Sequence, residues 1–328
     1  MSSSPLSLLT APQRAELPRT EVPRTARAMS ATLVREPFSD PGWIFERKLD
    51  GIRCVAIRDG GSVQLLSRND LSLNARFPAV VTALEAQPLR RFVLDGEVVA
   101  FSGGRTSFAR LAGRGQRAVT VHLYLFDVLW LDGCDVRGLA LRDRKRLLRA
   151  AVSFSDDTLH LSTHRNGDGE AYFRYACRHG WEGLVAKRAD SPYVGRRSRD
   201  WVKLKCEQGQ ELVVGGYTTP RGSRTDFGAL LLGYYERGAL RYAGKVGTGF
   251  DAASLRSLGR RLRGLEQADS PFAEPGAIRE RGVHWVSPEL VAQLAFTEWT
   301  SAGRLRHPRF LGLRDDKPAA DVVRERPT

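Results

Sequence analysis

Apolar and polar positions begin to alternate at Trp43. WIFERK (43–48), IRCVAIRD (52–59) and SVQLLSR (62–68) place β-branched or aromatic residues beside polar ones, separated by LDG and DGG turn signals. That pattern predicts an antiparallel meander. FVLDGEVVAF (Phe92–Phe101) and VTVHLYLFDVLWLDG (Val119–Gly133) read as buried strands, and Leu141–Val152 and Gly169–His179 carry the helical period. GLVAKR and WVKLKC are again strand-like. After the acidic-polar stretch 207–210 come the short strands ELVVGGY, ALLLGYYE, LRYAGKV and VAQLAFTEW, with a helix predicted over Asp251–Leu265. A small five-stranded barrel with one helix, OB-like, fits that second half. The first 28 residues, rich in Ser, Pro and Arg, predict a tail or extended wrap. The expected domains are therefore 29–206 and 207–328.

Composition narrows the partners. With 42% hydrophobic and 27% charged residues, the 328-residue chain has a core's worth of apolar side chains and is not wholly disordered. Its net charge of +14 favours a polyanion, nucleic acid first. Residues 1–206 carry +11 of that charge and 207–328 carry +3. Only seven of the 51 cations are lysines. Arginine cannot lose its proton near neutrality, so a lysine retained here marks a place where an amine or a compact charge is useful. The four cysteines form no CxxC pair, which predicts reduced thiols and no zinc site. No apolar run is long enough to span a membrane, and no signal peptide is evident, so a soluble, cytoplasmic, membrane-free protein is expected.

Several residues could carry chemistry. Lys48 ends a strand in ERKLDGIR, just before the turn made by Asp50 and Gly51. A nucleophilic lysine needs its pKa brought down by cationic neighbours or by loss of water. Lys203 and Lys205 in WVKLKC share one strand face, where two ammonium groups could bind phosphate and depress a third amine. Glu97 in VLDGEVV and Glu182 in WEGLVAKR stand in apolar surroundings, as carboxylates do when paired or metal-bound. Either could hold Mg²⁺. The alternative is a salt bridge, which Glu182 could make with Lys187.

Taken in order, ERKLDGIR, LLSRND, VLDGEVV, LYLFDVLWLDG, WEGLVAKR, WVKLKC and LRHPRFLGLRDDKP resemble the ATP-dependent DNA ligases of the covalent nucleotidyltransferase superfamily. The similarity is strongest to the bacterial ligase modules of double-strand-break end joining, and runs from about residue 29 to the end. It implies an α+β fold: an adenylation domain of antiparallel sheets with packed helices, followed by an OB-fold barrel. It implies an enzyme that uses ATP and Mg²⁺ or Mn²⁺ to seal nicks through lysyl-AMP and DNA-adenylate.

On that resemblance Lys48 is the nucleophile, Glu46 faces the adenine amine, and Phe126 stacks on the base. Arg53 and Arg68 hold ribose, phosphate or the nick's 5′ end, and Glu97 meets the ribose hydroxyl or a metal. Glu182 binds the catalytic metal. Lys203 and Lys205 grip the α-phosphate, with Lys187 as a further phosphate contact. Arg314, Asp316 and Lys317 match a closing Arg-x-Asp-Lys motif that orients pyrophosphate while the barrel covers ATP. The implied partner is nicked duplex DNA, bound by a monomer. Ku and separate end-joining polymerase and nuclease proteins could join it, since 328 residues leave no room for those modules. RNA ligases and capping enzymes share the KxDG lysine, and a basic scaffold with a dead site would bind nucleic acid without catalysis. The flanking motifs speak against the first reading, and the intact Lys48, Glu97 and Glu182 against the second.

Overall fold

The computed structural model describes residues 4–112, 119–206, 208–220, 222 and 225–325. Glu207, where the second domain is expected to begin, lies outside them. Two compact units separate near residue 206.

The first unit opens with a 3₁₀ turn (Pro5–Leu8) and α1 (Ala11–Glu16), which a Thr10–Gln13 capping box starts. Its strands are β1 (Ser30–Leu33), β2 (Asp40–Lys48), β3 (Ile52–Asp59) and β4 (Val63–Leu66), followed by α2 (Pro78–Glu85) and β5 (Arg91–Val99). Then come β6 (His122–Leu131), β7 (Cys134–Asp135), α3 (Leu141–Ala151), β8 (Leu159–Leu161) and β9 (His164–Gly167). α4 (Gly169–Arg178), β10 (Gly183–Arg188) and β11 (Arg197–Lys205) complete it.

These strands form two sheets, ordered β8-β6-β5-β3-β4 with β7 on β6, and β1-β11-β10-β2-β9. The expected meander is therefore broken. β3 and β4 form a hairpin, whereas β2 crosses to the other sheet between β10 and β9. The Lys48–Ile52 connection is a passage between sheets, not a hairpin turn. Gly51 makes it possible, since a Cβ there would lie 2.2 Å from the Val98 carbonyl oxygen.

A buried cluster of Met29, Val55, Val93, Phe126, Trp130, Tyr193 and Trp201 joins the sheets. Across the second sheet, Phe45, Leu184, Ala186 and Val202 pack with Tyr172 and Ala176 of α4. Within residues 4–28, Ala26 packs into the core and Arg19 bridges to Cys134. The two short helical turns of this stretch escaped the sequence reading.

One expectation is overturned. Cys177 and Cys206 form a disulfide, with Cα atoms 5.2 Å apart, and only Cys54 and Cys134 remain as buried free thiols. α4 and the end of β11 bring together cysteines 29 residues apart, which no CxxC search detects.

The second unit is an OB-fold. Its strands are β12 (Gln208–Thr218), β13 (Leu230–Glu236) and β14 (Ala239–Val246), then β15 (Glu266–Gln267), β16 (Val283–Val286), β17 (Val291–Phe296) and β18 (Arg309–Leu313). α5 (Ala252–Gly264) lies between β14 and β15, capped by Asp251 accepting from the Ser254 amide. The sheet runs β14-β13-β12-β16-β15, with β17 joining β12 to β18, so it has seven strands among the described residues where five were expected. Val213, Leu231, Leu258 and Leu294 are among the residues of its core. Among the described residues no helix is long and apolar enough to cross a membrane.

Candidate active site

Alternation along β2 directs Phe45 to the helix-covered face and Glu46 and Lys48 to the opposite one. Register then sets their neighbours. Lys48 stands across from Gly183 of β10, which stands across from Lys205 of β11, while Glu46 aligns with Val185 and Lys203. Directly opposed residues share a face, so Glu46, Lys48, Lys203 and Lys205 lie together on two adjacent rows. Gly183 between Lys48 and Lys205 has φ of +150°, and a Cβ there would come within 1.9 Å of the Leu204 carbonyl oxygen. No other residue fits the middle of that row.

The Lys48 amine lies 2.6 Å from both carboxylate oxygens of Glu182. Burial works to lower its pKa, but Glu182, then Glu97 and Asp50, outweigh this, and the result is a raised value. The sequence expectation was a depressed amine beside cationic neighbours. The structure instead places a carboxylate next to the amine, which keeps it charged at rest. Glu182 thus pairs with Lys48 and not with Lys187.

Lys187 pairs with Glu46 at 2.9 Å, and Lys145 of α3 closes on the other oxygen of the same carboxylate. Ser162 Oγ donates to Glu46 as well. All three charged groups of this clamp are buried. Burial would raise the Glu46 pKa, yet the two ammonium groups bring it below the usual range. Lys187 is depressed to about 8, chiefly by burial, with Lys145 adding repulsion and Glu46 opposing. Lys145 carries no motif, and its only sequence signal was being a lysine in an arginine-rich chain.

Arg53 is fixed by a two-pronged pair with Asp95, at 2.5 and 2.6 Å, and donates to the Met29 carbonyl. Tyr193 Oη donates to the same carboxylate at 2.7 Å. Glu97 stands across from Arg53 on β5 and beside Tyr124 of β6. Phe126 is 8% exposed, with the Arg53 and Lys187 heads 4.7 and 4.2 Å from its ring centre. The next residue, Asp127, makes a fully buried pair with Arg144, holding β6 to α3. Asp95 and Asp127 stand inside the motifs VLDGEVV and LYLFDVLWLDG, and Arg144 and Tyr193 outside the seven; none of the four was singled out, because the partner of each comes from another element. Arg68 stands exposed on the Ser67–Asp70 turn, where Ser67 Oγ accepts from the Asn69 and Leu71 amides.

Hard carboxylate oxygens act on the Lys48 ammonium from Glu182, Glu97 and Asp50. That donor set fits a divalent ion held by one or two carboxylates together with substrate phosphates. Among the described residues no three side chains form a ready-made metal cage.

Within the second unit, Arg314 forms a two-pronged pair with Asp316 at 2.7 and 2.8 Å. Glu211, on β12, lies 3.5 Å from the Lys317 amine and 3.8 Å from Arg314. All three residues of the closing motif are therefore held by carboxylates or are carboxylates themselves. Glu211 was not singled out by the sequence.

The family described as "ATP dependent DNA ligase domain" matches residues 24–205, and "ATP dependent DNA ligase C terminal region" matches 223–317. The chain belongs to the ATP-dependent DNA ligases. It is 41% identical over 320 residues to the "Multifunctional non-homologous end joining protein LigD" of Pseudomonas aeruginosa, covering 94% of this chain and 38% of that protein. Identity to the Mycobacterium tuberculosis protein LigD is 40% over 287 residues, covering 86% of this chain and 37% of that one. The chain thus spans under two fifths of the length of these curated relatives. Among solved structures it is similar to a "mycobacterial DNA ligase D complexed with ATP and MES", 37% identical with a TM-score of 0.67, covering 92% of this chain and 98% of that one. These likenesses make the fold that of a ligase adenylation unit followed by an OB-fold.

Proposed function

We propose that this ligase seals nicks in duplex DNA through a lysyl-AMP intermediate on Lys48. The supporting observation is the row Lys48–Gly183–Lys205 with Glu182 at 2.6 Å from the nucleophile. In the first step the neutral Lys48 amine attacks the α-phosphorus of ATP. The N–P bond forms, the bond to pyrophosphate breaks, and the amine gives up a proton. A 5′-phosphate oxygen at the nick then attacks the adenylate phosphorus and displaces the Lys48 amine, giving DNA-adenylate. The 3′-hydroxyl attacks the 5′-phosphate phosphorus of the nick, losing its proton, forming the phosphodiester and releasing AMP.

Lys203 and Lys205 sit beside the nucleophile and supply charge to the α-phosphate. Glu182 and Glu97 would hold Mg²⁺ or Mn²⁺, which when bound neutralises phosphate charge. Capture of Glu182 by the metal would also remove the partner that keeps Lys48 protonated. Glu46 serves the adenine amine only with an oxygen left over from Lys145 and Lys187, so its first effect is to position those lysines. A base stacking on Phe126 must move the Arg53 or Lys187 head. Arg53 and Arg68 are assigned to ribose, phosphate or the nick's 5′ end, and Arg314 and Lys317 to the departing pyrophosphate.

The relatives' names supply the pathway, end joining in bacterial DNA repair. The setting is then the bacterial cytoplasm, with a monomer acting on nicked DNA alongside Ku and end-joining polymerase and nuclease activities. Incubation with α-labelled ATP and Mg²⁺, followed by a denaturing gel, should label the wild type and leave Lys48→Arg blank. Label that persists in Lys48→Arg sinks the assignment.

A further inference from the structure

Away from the nucleotide cleft, two of the six histidines meet at the edge of the first sheet. His122 begins β6 and His160 sits in the middle of β8, which pairs with it in parallel. His122 Nδ1 lies 3.0 Å from His160 Nε2, and the two nitrogens lie 2.8 and 2.9 Å from the Asp157 carbonyl oxygen. Three potential donor atoms thus form a nearly equilateral triangle.

Hydrogen bonding does not account for all three sides. With both nitrogens protonated, each donates to the carbonyl but the two N–H groups oppose one another. With one nitrogen bare, that nitrogen and the carbonyl oxygen are two acceptors facing each other across a hydrogen-bond distance, with one proton between the three atoms. A cation capping the triangle, out of its plane, accepts a lone pair from each of the three atoms. In octahedral geometry, neighbouring ligands at bond lengths of about 2.05 Å are about 2.9 Å apart, which is the edge found here. The two imidazoles are borderline ligands that suit Ni²⁺, Zn²⁺, Co²⁺ or Cu²⁺ more than Mg²⁺, and the carbonyl adds one hard oxygen.

We propose that His122, His160 and the Asp157 carbonyl form a transition-metal site on the edge of the adenylation unit. Water fills the remaining positions. The ion ties the short edge strand β8 and the 155–158 loop to β6. The same strand carries Tyr124, whose ring stacks on His160 at 4.7 Å and which stands across from Glu97. The ion therefore braces the sheet that presents Glu97, and it takes no part in phosphoryl transfer. This inference is independent of the roles proposed for Lys48 and Glu182.

The test uses the untagged full chain, freed of metal with a chelator and titrated with NiCl₂ and then ZnCl₂ by calorimetry, with melting temperature recorded alongside. One ion per chain and a higher melting temperature are expected. Both effects should vanish in His122→Ala and in His160→Ala and survive in His179→Ala, while Mg²⁺-dependent self-adenylation of both variants stays near wild type. Absence of saturable Ni²⁺ and Zn²⁺ binding at millimolar concentration overturns the site, as does binding retained in His122→Ala. A variant that melts lower without metal is judged by the ion-induced shift alone, which must be zero.

Discussion

Lys48 and Glu182, 134 residues apart in the chain, meet at 2.6 Å with the amine in contact with both carboxylate oxygens. The proposed nucleophile and the carboxylate proposed to bind metal therefore neutralise each other before substrate arrives. Glu182→Ala and Glu97→Ala should cut self-adenylation by at least about 100-fold, as loss of an electrostatic group at a reacting phosphate does. Their melting temperatures should stay within a few degrees of wild type. A collapse in stability with a proportionate loss of activity would return that glutamate to a structural role.

The Glu46 clamp makes a separate prediction about stability. Replacing Glu46 with Gln leaves two buried ammonium groups facing a neutral amide, which should cost about 3–5 kcal/mol. Denaturant melts measure it. A loss below 1 kcal/mol would mean that the lysines find other partners.

Lys187 gives that clamp a pH dependence. Its folded pKa of about 8 lies below the value of 10.5 that applies when it is exposed, so between those pH values the unfolded chain holds more protons. Stability from this group therefore rises with pH across the window from 8 to 10.5, by an amount on the order of 3 kcal/mol. Glu46 behaves in the opposite range: its lowered pKa contributes stability above about pH 4.5 that is lost on acidification. The measurement is wild-type stability minus that of Lys187→Met from pH 7.5 to 10.5. A flat difference contradicts the depressed amine.

Glu211 pairs with Lys317 and Arg314 within the second unit. Glu211→Gln should loosen Lys317, while Arg314 keeps its pair with Asp316, and lower the KM for ATP in self-adenylation several-fold. Lys317→Ala should impair self-adenylation and spare sealing of a pre-adenylated nick. Equal impairment of both steps removes the pyrophosphate role.

The Cys177–Cys206 bond closes a loop spanning 29 residues, and its reduction should cost about 3–4 kcal/mol by the chain-entropy argument. Denatured, unreduced protein should show two reactive thiols and four after reduction. Four thiols without reductant would remove the bond and restore the sequence expectation.

What the sequence determined by itself is what depends on local spacing. Alternation from Trp43 to Lys48 put Glu46 and Lys48 on one strand face, and WVKLKC did the same for Lys203 and Lys205. The ordered motifs pointed to the ligase family, whereas the turn expected at Asp50 and Gly51 is a passage between sheets. Which groups pair was decided only by the tertiary structure. Glu182 had Lys187 five residues away and took Lys48, and Glu46 took Lys145 and Lys187 from a helix and a strand far along the chain. Strand period is a property of neighbouring residues, so it can be read locally. A salt bridge, a disulfide or a change of sheet depends on which elements pack side by side. With 51 cations and 37 anions in one chain, no local rule selects the partner.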